Sequence, residues 1–343
     1  MTVAKKITIN DVALAAGVSV STVSLVLSGK GRISHATGER VNDAIEKLGF
    51  VRNRQAVSLR GGQSGVIGLM VRDLSSPFYA ELTAGLSEAL EAQDRMLFLT
   101  QCGGDGARSE RCLSTLLSQG VDGVIIAGGA ADTGATLREL AAARGVPLLY
   151  ASRASYLDDA DIIRPDNMQA AQLVTEHLIR RGHQRIAWLG GRSSSLTRAE
   201  RLGGYCATLL QYGLPFNSDW VIECESSQKQ AAEAIGTLLR RNPTISAVLC
   251  HNNTIAMGAW FGLMRGGRQG GEGGMESYYD RQVALAAFAD VPEAALDDLP
   301  VTWVTTPARE IGHTLAGRML QRINDDEGAP RQQIIPARLV PQR

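Results

Sequence analysis

From residue 65 onward the sequence alternates short, wholly apolar runs with amphipathic stretches, in two series of similar length. The first holds "GVIGLMV" (65–71), a helical stretch from Pro77 to Gln93, then "MLFLTQ" (96–101), "DGVIIA" (122–127) and "VPLLYAS" (146–152). The second begins near Asp166 and holds "RIAWLG" (185–190), "WVIECE" (220–225), "AVLC" (247–250) and "VALAAF" (283–288). Runs without polar alternation suit strands buried on both faces, which means parallel sheets covered by helices. The expected fold class is therefore α/β, with two doubly wound parallel sheets and a cleft between them. Ligands in such sheets bind beyond the carboxyl ends of the strands. The tail, "VTWVTTP" (301–307) through "IIPARLV" (334–340), is expected to cross back so that both lobes share the last elements. The expected division gives one lobe about 64–163 and 291–324, and the other about 164–290 and 325–343.

The first 62 residues follow a different pattern. They carry nine Lys or Arg against four acids, a net +5, while the 343-residue chain as a whole is neutral. A cationic head on an acidic body suits contact with a polyanion. Thr8 can cap a first helix with Asp11 three residues on, as in a capping box. That helix carries Val12, Ala13 and Ala16 on one face and stops at Gly17. Ser19 is a natural N-cap for a second helix bearing Val23, Val26 and Leu27, which Gly29 and Gly31 end. Ser34 can cap a third, running through Val41, Ile45 and Leu48 to Gly49. The corner Ala15-Ala16-Gly17-Val18-Ser19 matches the tight glycine turn of a helix-turn-helix, although a plain helical hairpin shares it. Read as a helix-turn-helix, its second helix enters a DNA major groove and turns Val20, Ser21 and Leu25 toward base edges. The hydroxyls of Thr22, Ser24 and Ser28 then suit phosphate oxygens. Residues 50–65 are basic, with a short helical stretch from Asn53 to Leu59 and a Gly61-Gly62 exit. A lone leucine, Leu59, beside arginines suits a wedge between base steps of the minor groove. The expected domains are a head, 1–49, a hinge, 50–63, and a sensing core, 64–343.

Other chemistries find little footing. The five cysteines (Cys102, Cys112, Cys206, Cys224, Cys250) never fall as CxxC, and the five histidines never fall as HExxH. "RGGRQGGEGGMESYYD" (265–280) is glycine-rich, but it follows a helix and lacks the GK[ST] ending, so it reads as a surface loop. "LGGRSSSLTR" (189–198) follows a strand and leads into a helix, so it can cradle a polar ligand group. No GxSxG elbow occurs. No apolar run approaches the ~20 residues that span a bilayer, and "MTVAKKITIN" has no apolar segment behind its lysines. The expectation is a cytoplasmic protein without cofactor, metal, membrane partner or catalytic activity.

"TINDVALAAGVSVSTVSLVLSG" (8–29), "ATGERV" (36–41) and "GFVRNRQAVSLR" (49–60) together resemble the LacI/GalR family of transcriptional repressors, and the match runs from Lys5 to about Leu339. The resemblance implies a helix-turn-helix head on a periplasmic-binding-protein-like core. It also implies a homodimer on palindromic double-stranded operator DNA and a small-molecule effector, a sugar or related metabolite. By motif, its DNA-contacting positions fall on Thr8, Ser19, Val20, Ser21, Thr22, Ser24, Leu25, Ser28 and Arg32, and in the hinge on Asn53, Arg54, Ala56 and Leu59. Its effector positions fall on Ser76, Phe78, Ser152, Arg153, Arg201, Asn252, Asn253, Asp290 and Thr306. Arg201 is the candidate to hold a ligand oxygen or anion, and Phe78 reads as a stacking platform or as core. The family usually has acids where Asn253 and Ala289 stand, which weakens bidentate recognition of sugar hydroxyls. No leucine heptads follow the last strand, so a dimer rather than a tetramer is expected.

Overall fold

The computed structural model describes residues 7–28, 33–51, 63–128, 134–151, 159–266, 282–289, 299–324 and 328–340. The chain divides into two compact units, 1–64 and 65–343. Among its described residues the first unit has three helices: α1 (Ile9–Ala16), α2 (Val20–Ser28) and α3 (His35–Leu48). Val12, Ala13, Ala16, Val23, Val41 and Ala44 meet at its centre, so each helix gives its one apolar stripe to a shared core. Ser34 caps α3 by accepting the Thr37 amide at 3.3 Å, and Gly49 ends it in the left-handed region at φ 62°.

The second unit begins with β1 (Val66–Val71), α4 (Pro77–Glu91), β2 (Met96–Gln101), α5 (Gly106–Ser118), β3 (Gly123–Ala127), α6 (Gly134–Ala142), β4 (Leu148–Ala151) and β5 (Asp161–Pro165). It continues through α7 (Asn167–Arg180), β6 (Ile186–Leu189), α8 (Leu196–Gln211), β7 (Val221–Ile222), α9 (Gln228–Arg241), β8 (Ala247–Cys250), α10 (Asn253–Arg265) and β9 (Ala284–Ala289). Last come β10 (Val301–Thr305), α11 (Ala308–Ile323), β11 (Gln332–Ile335) and β12 (Arg338–Val340). One sheet runs β11-β5-β4-β3-β1-β2 and the other β12-β10-β9-β8-β6-β7. Every pairing is parallel except β10 with β12. Side-chain alternation feeds both faces of each sheet. Ile67, Leu69 and Val71 of β1 pack under α4 and α11, while Val66 and Met70 join the core on the opposite side with Leu113 of α5 and Leu137 of α6. In the second lobe Val248 and Cys250 go one way and Ala247 and Leu249 the other.

The tail divides differently from the expected boundaries. Residues 301–305 pair with β9 and belong to the second lobe, whereas 332–335 pair with β5 and belong to the first. The chain therefore crosses between lobes at Asp166, at Thr306–Pro307 and at Pro336–Ala337. The cause is the packing of α11. Its Gly312 lies against the Leu82 carbonyl and Gly85 of α4 lies against the Arg309 carbonyl, each too close for any Cβ. That approach locks α11 to the first lobe, so β10 must end before it. The strand expected over 220–225 is shorter too: a 3-10 turn at Ser218–Trp220 leads into the two residues of β7 at the sheet edge. Strand β5 completes the first sheet, although Asp161 and Arg164 hid it from a purely apolar pattern. No single helix among the described residues is long and apolar enough to cross a membrane.

Asp161 is the deepest ionic tie of the first lobe. It accepts Arg318 Nε at 2.8 Å, Arg322 Nε at 2.6 Å and the Arg331 amide at 3.0 Å. Burial works to raise its carboxyl, but the bonds from Arg322, the Arg331 amide and Arg318 outweigh it and hold the group below its ordinary value. Such a group contributes stability in full above its unfolded-state value, near ~4, and loses it as pH falls through the lower folded value. Asp161→Asn is expected to cost about 3 kcal/mol at pH 7, because the buried Arg318 and the half-buried Arg322 lose their shared counter-ion. Urea denaturation followed by circular dichroism should show the gap from the native chain closing below about pH 4.

Candidate nucleic-acid interface and effector site

The helix corner is built from local hydrogen bonds. The Asp11 carboxylate accepts the Thr8 amide at 2.7 Å and the Thr8 hydroxyl at 2.6 Å, which secures the start of α1. Gly17 turns left-handed at φ 64°, and the Val18 amide donates back to the Ala13 carbonyl at 3.0 Å. Helix α2 then leaves at 103° to α1, within the range of a helix-turn-helix. Ser19 caps it, accepting the Thr22 amide at 3.2 Å and sharing hydrogen bonds with the Ser21 and Thr22 hydroxyls at 2.7 and 2.8 Å.

This geometry sorts the candidate contacts. Ser21, Ser24 and Leu25 are exposed on one side of α2, with Leu25 42% exposed although apolar. Ser28 is the last residue of the helix. Val20 is half-buried and packs against the head's own core, leaving only part of its side chain on the reading face. Thr8, Ser19 and Thr22 spend hydroxyl bonds on the two caps, which presets where their remaining lone pairs and protons point. Arg32, Asn53, Arg54, Ala56 and Leu59 lie outside the described residues. So do seven of the nine basic residues in 1–62, and the described head therefore shows a neutral helix tip rather than the charge of the footprint.

In the second unit, Arg201 stands where the sequence put it, near the carboxyl ends of the second sheet. It is 1% exposed. Its Nε donates to Asn167 Oδ1 at 3.1 Å, its Nη1 donates to the His251 carbonyl at 2.7 Å, and its guanidinium lies 4.1 Å from the centre of the Phe288 ring. A cation held over an aromatic face and by two acceptors is a fixed, directional donor. Sequence reasoning missed what stands behind it. Asn167 Nδ2 donates to Glu200 Oε2 at 2.8 Å, and Glu200 takes Arg164 Nη1 at 3.1 and 3.2 Å. Arg164 belongs to β5 of the first lobe and Glu200 to α8 of the second, so this polar chain spans the crossing at Asp166. The only sequence hint was a pair of adjacent opposite charges, Glu200-Arg201.

The other candidates divide. Ser76 precedes α4 and makes no capping bond. Phe78 is core: it is fully buried and meets Tyr79 edge-on at 5.3 Å, which rules out a stacking platform. Asn252 caps α10 through the Ile255 amide at 2.9 Å and donates to Ser226 at 2.8 Å, so its amide is structural. Asn253 is the half-buried first residue of α10. Thr306 is buried and gives its hydroxyl to the Ala289 carbonyl at 3.0 Å. Ser152, Arg153 and Asp290 lie outside the described residues, as does the glycine-rich stretch 267–281. The loop at 189–198 is committed to its neighbours, with Ser193 on Glu223 and Arg192 on Glu225.

A bent helix pair with an exposed reading face, and a separate βα unit of two sheets holding a buried arginine, define a ligand-responsive DNA-binding regulator. Residues 8–53 match the family described as bacterial regulatory proteins, lacI family, and residues 64–343 match periplasmic binding proteins and sugar binding domain of LacI family. The chain belongs to the LacI family of transcriptional regulators, and it is not an enzyme. It is 72% identical over 340 residues to the maltose regulon regulatory protein MalI of Escherichia coli K12, covering 99% of each chain. It also resembles a crystal structure of the lac repressor dimer bound to operator and the anti-inducer ONPF, with TM-score 0.83 and 25% identity over 98% of both chains. A CelR–cellobiose complex aligns with TM-score 0.69 and 27% identity over 97% of this chain and 98% of that one.

The packing of α2 separates two substitutions. Leu25→Ala is expected to lower specific operator affinity by about 1–3 kcal/mol with no change in the head's stability. Val20→Ala is expected instead to destabilise the head by about 1 kcal/mol, because it removes methyls from its core. Hydrogen exchange of α1 and α3 amides, set beside filter-binding titrations, distinguishes them.

Proposed function

We propose that this protein represses a sugar-related operon of the maltose regulon, as a homodimer on a palindromic operator whose occupancy a small-molecule effector adjusts. The observation that carries the reading is the exposed Ser21, Ser24 and Leu25 face on a helix set at 103° to its neighbour, in a chain 72% identical to a maltose regulon regulator. The lac repressor's structure as a dimer on operator, and CelR's with cellobiose, support the partner classes. Two heads address two half-sites, so the two-fold symmetry of the protein mirrors that of the site. The Leu59-bearing hinge segments pair over the centre and kink it. Leu25 and the serine hydroxyls recognise thymine methyls and base edges with few charged bonds, and the remaining discrimination comes from the deformability of the central step.

Effector control is a shift between lobe arrangements. Arg201 holds the ligand within the cleft, joined by Ser152, Arg153, Asn253 and Asp290. The ligand changes operator affinity only by its differential affinity for the two arrangements, ~1–3 kcal/mol in such couplings. A regulator of this kind works in the cytosol, where the DNA is.

Selection of bound duplexes from a random pool, repeated with and without cellular metabolites, tests this directly. The expected outcome is enrichment of a single palindrome whose recovery one metabolite fraction alters. Leu59→Ala should cut affinity for that palindrome by at least about tenfold while weak binding to bulk DNA persists. An unselective pool, or equal binding by both chains, would falsify the reading.

A further inference from the structure

Gly65 is the first residue of the second compact unit, and it is gripped from both sides. Its amide donates to Asp122 Oδ2 at 2.8 Å, and its carbonyl accepts the Met96 amide at 2.8 Å. Arg95 Nη1 donates to the same Asp122 oxygen at 3.0 Å. The Asp122 and Arg95 side chains are only 9% and 14% exposed. The Asp122 amide in turn donates to the Val66 carbonyl at 2.8 Å, so the carboxylate is placed by the strand it holds. Gly65 has φ 74°, a left-handed turn that glycine adopts freely, and Ser64 before it is buried.

The mostly buried Asp122 carboxylate is held between a strand-leading amide and an arginine, and removing either leaves its charge poorly compensated. What sets this amide apart is its position. The sequence places the Gly61-Gly62 pair three residues upstream, with the DNA-reading head beyond. Binding of the second head of a dimer depends on its local concentration, which the length and stiffness of the tether set. A fixed root removes slack from the tether; a loose one adds several residues of reach.

We infer that the Asp122–Arg95 pair is a positioning element for DNA binding: by fixing Gly65 as the root of the tether, it makes the dimer read half-site spacing strictly. The inference rests on the dimeric repressor reading above. Neither residue touches DNA or effector in this role.

The test uses the full chain, the palindrome recovered from the random pool, and the same duplex with one base pair inserted at its centre. The native chain is expected to prefer the first duplex by about tenfold or more, because the insertion moves and rotates one half-site. Asp122→Ala and Arg95→Met are each expected to shrink that preference at least about threefold, chiefly by tolerating the inserted duplex. Asp122→Asn, whose side-chain oxygen still accepts from both the Gly65 amide and Arg95 Nη1, should recover most of it. An unchanged preference in the variants, or a parallel loss on both duplexes, overturns the positioning role and leaves the pair as mere scaffolding. Should Asp122→Ala fail to fold, Arg95→Met decides on the same ratio. A native chain that prefers no duplex at all overturns the repressor reading itself, a distinct result.

Discussion

Two sheets, parallel but for the β10–β12 pair, are joined by three crossings, at Asp166, Thr306–Pro307 and Pro336–Ala337, while the edge strand β2, expected to be buried, leaves Met96, Phe98 and Leu99 exposed. The crossings are tied to one another by hydrogen bonds. The Asp166 amide donates to the Ile335 carbonyl at 2.9 Å, tying the first crossing to the last strand of the first sheet. Gln169, one turn into α7, accepts the Ala337 amide at 2.9 Å and returns a bond to the Ala337 carbonyl at 3.4 Å. The first and third crossings are thus stitched side by side. Such stitching restricts lobe motion to a few backbone torsions while each sheet stays rigid, which is how hinged domains move.

The head solves an opposite problem with few residues. Its six buried core side chains include three alanines, so its stability leans on caps and on a glycine corner rather than on apolar area. That economy explains the neutrality of α2. A helix tip that reads methyl groups and base edges needs shape and hydroxyls at fixed positions, while charge is better spent on flanking segments that meet phosphates whatever the sequence. The sharing of Ser19 with Ser21 and Thr22 serves both ends, because one hydroxyl cluster caps the helix and orients the groups that face outward.

How much of this the sequence disclosed follows from the range of the interactions involved. The caps at Thr8, Ser19 and Ser34, the Gly17 corner and the βα alternation are local, and they were legible. So was Arg201, since the end of a strand is a local feature and its helix follows the sixth. What escaped was long-range. Strand β5 is charged at Asp161 and Arg164 because each meets a partner far along the chain, Arg318 and Glu200, and only the folded sheet reveals them. The tail's division between lobes turned on two glycines, Gly85 and Gly312, more than 200 residues apart. Asn252 looked like a ligand group and proved to be a cap, since an Asx residue after a strand serves either purpose with the same atoms. The half-burial of Val20 was hidden too, because helical spacing gives an angle around the axis, not the depth to which neighbours bury a side chain.

The polar chain Arg164–Glu200–Asn167–Arg201 bears on how a small ligand can move something as large as a lobe. A ligand that binds both lobe arrangements equally shifts nothing, however tightly it binds. Differential affinity requires a ligand-facing group whose position depends on the lobe angle. Arg201 is linked to the first lobe through this chain: its Nε is held by Asn167, Asn167 by Glu200, and Glu200 by an arginine on the other lobe. Each bond in that chain is shielded from water, with Asn167 fully buried and Arg164 and Glu200 largely so, which strengthens it. A surface ion pair at the same crossing would be screened to insignificance.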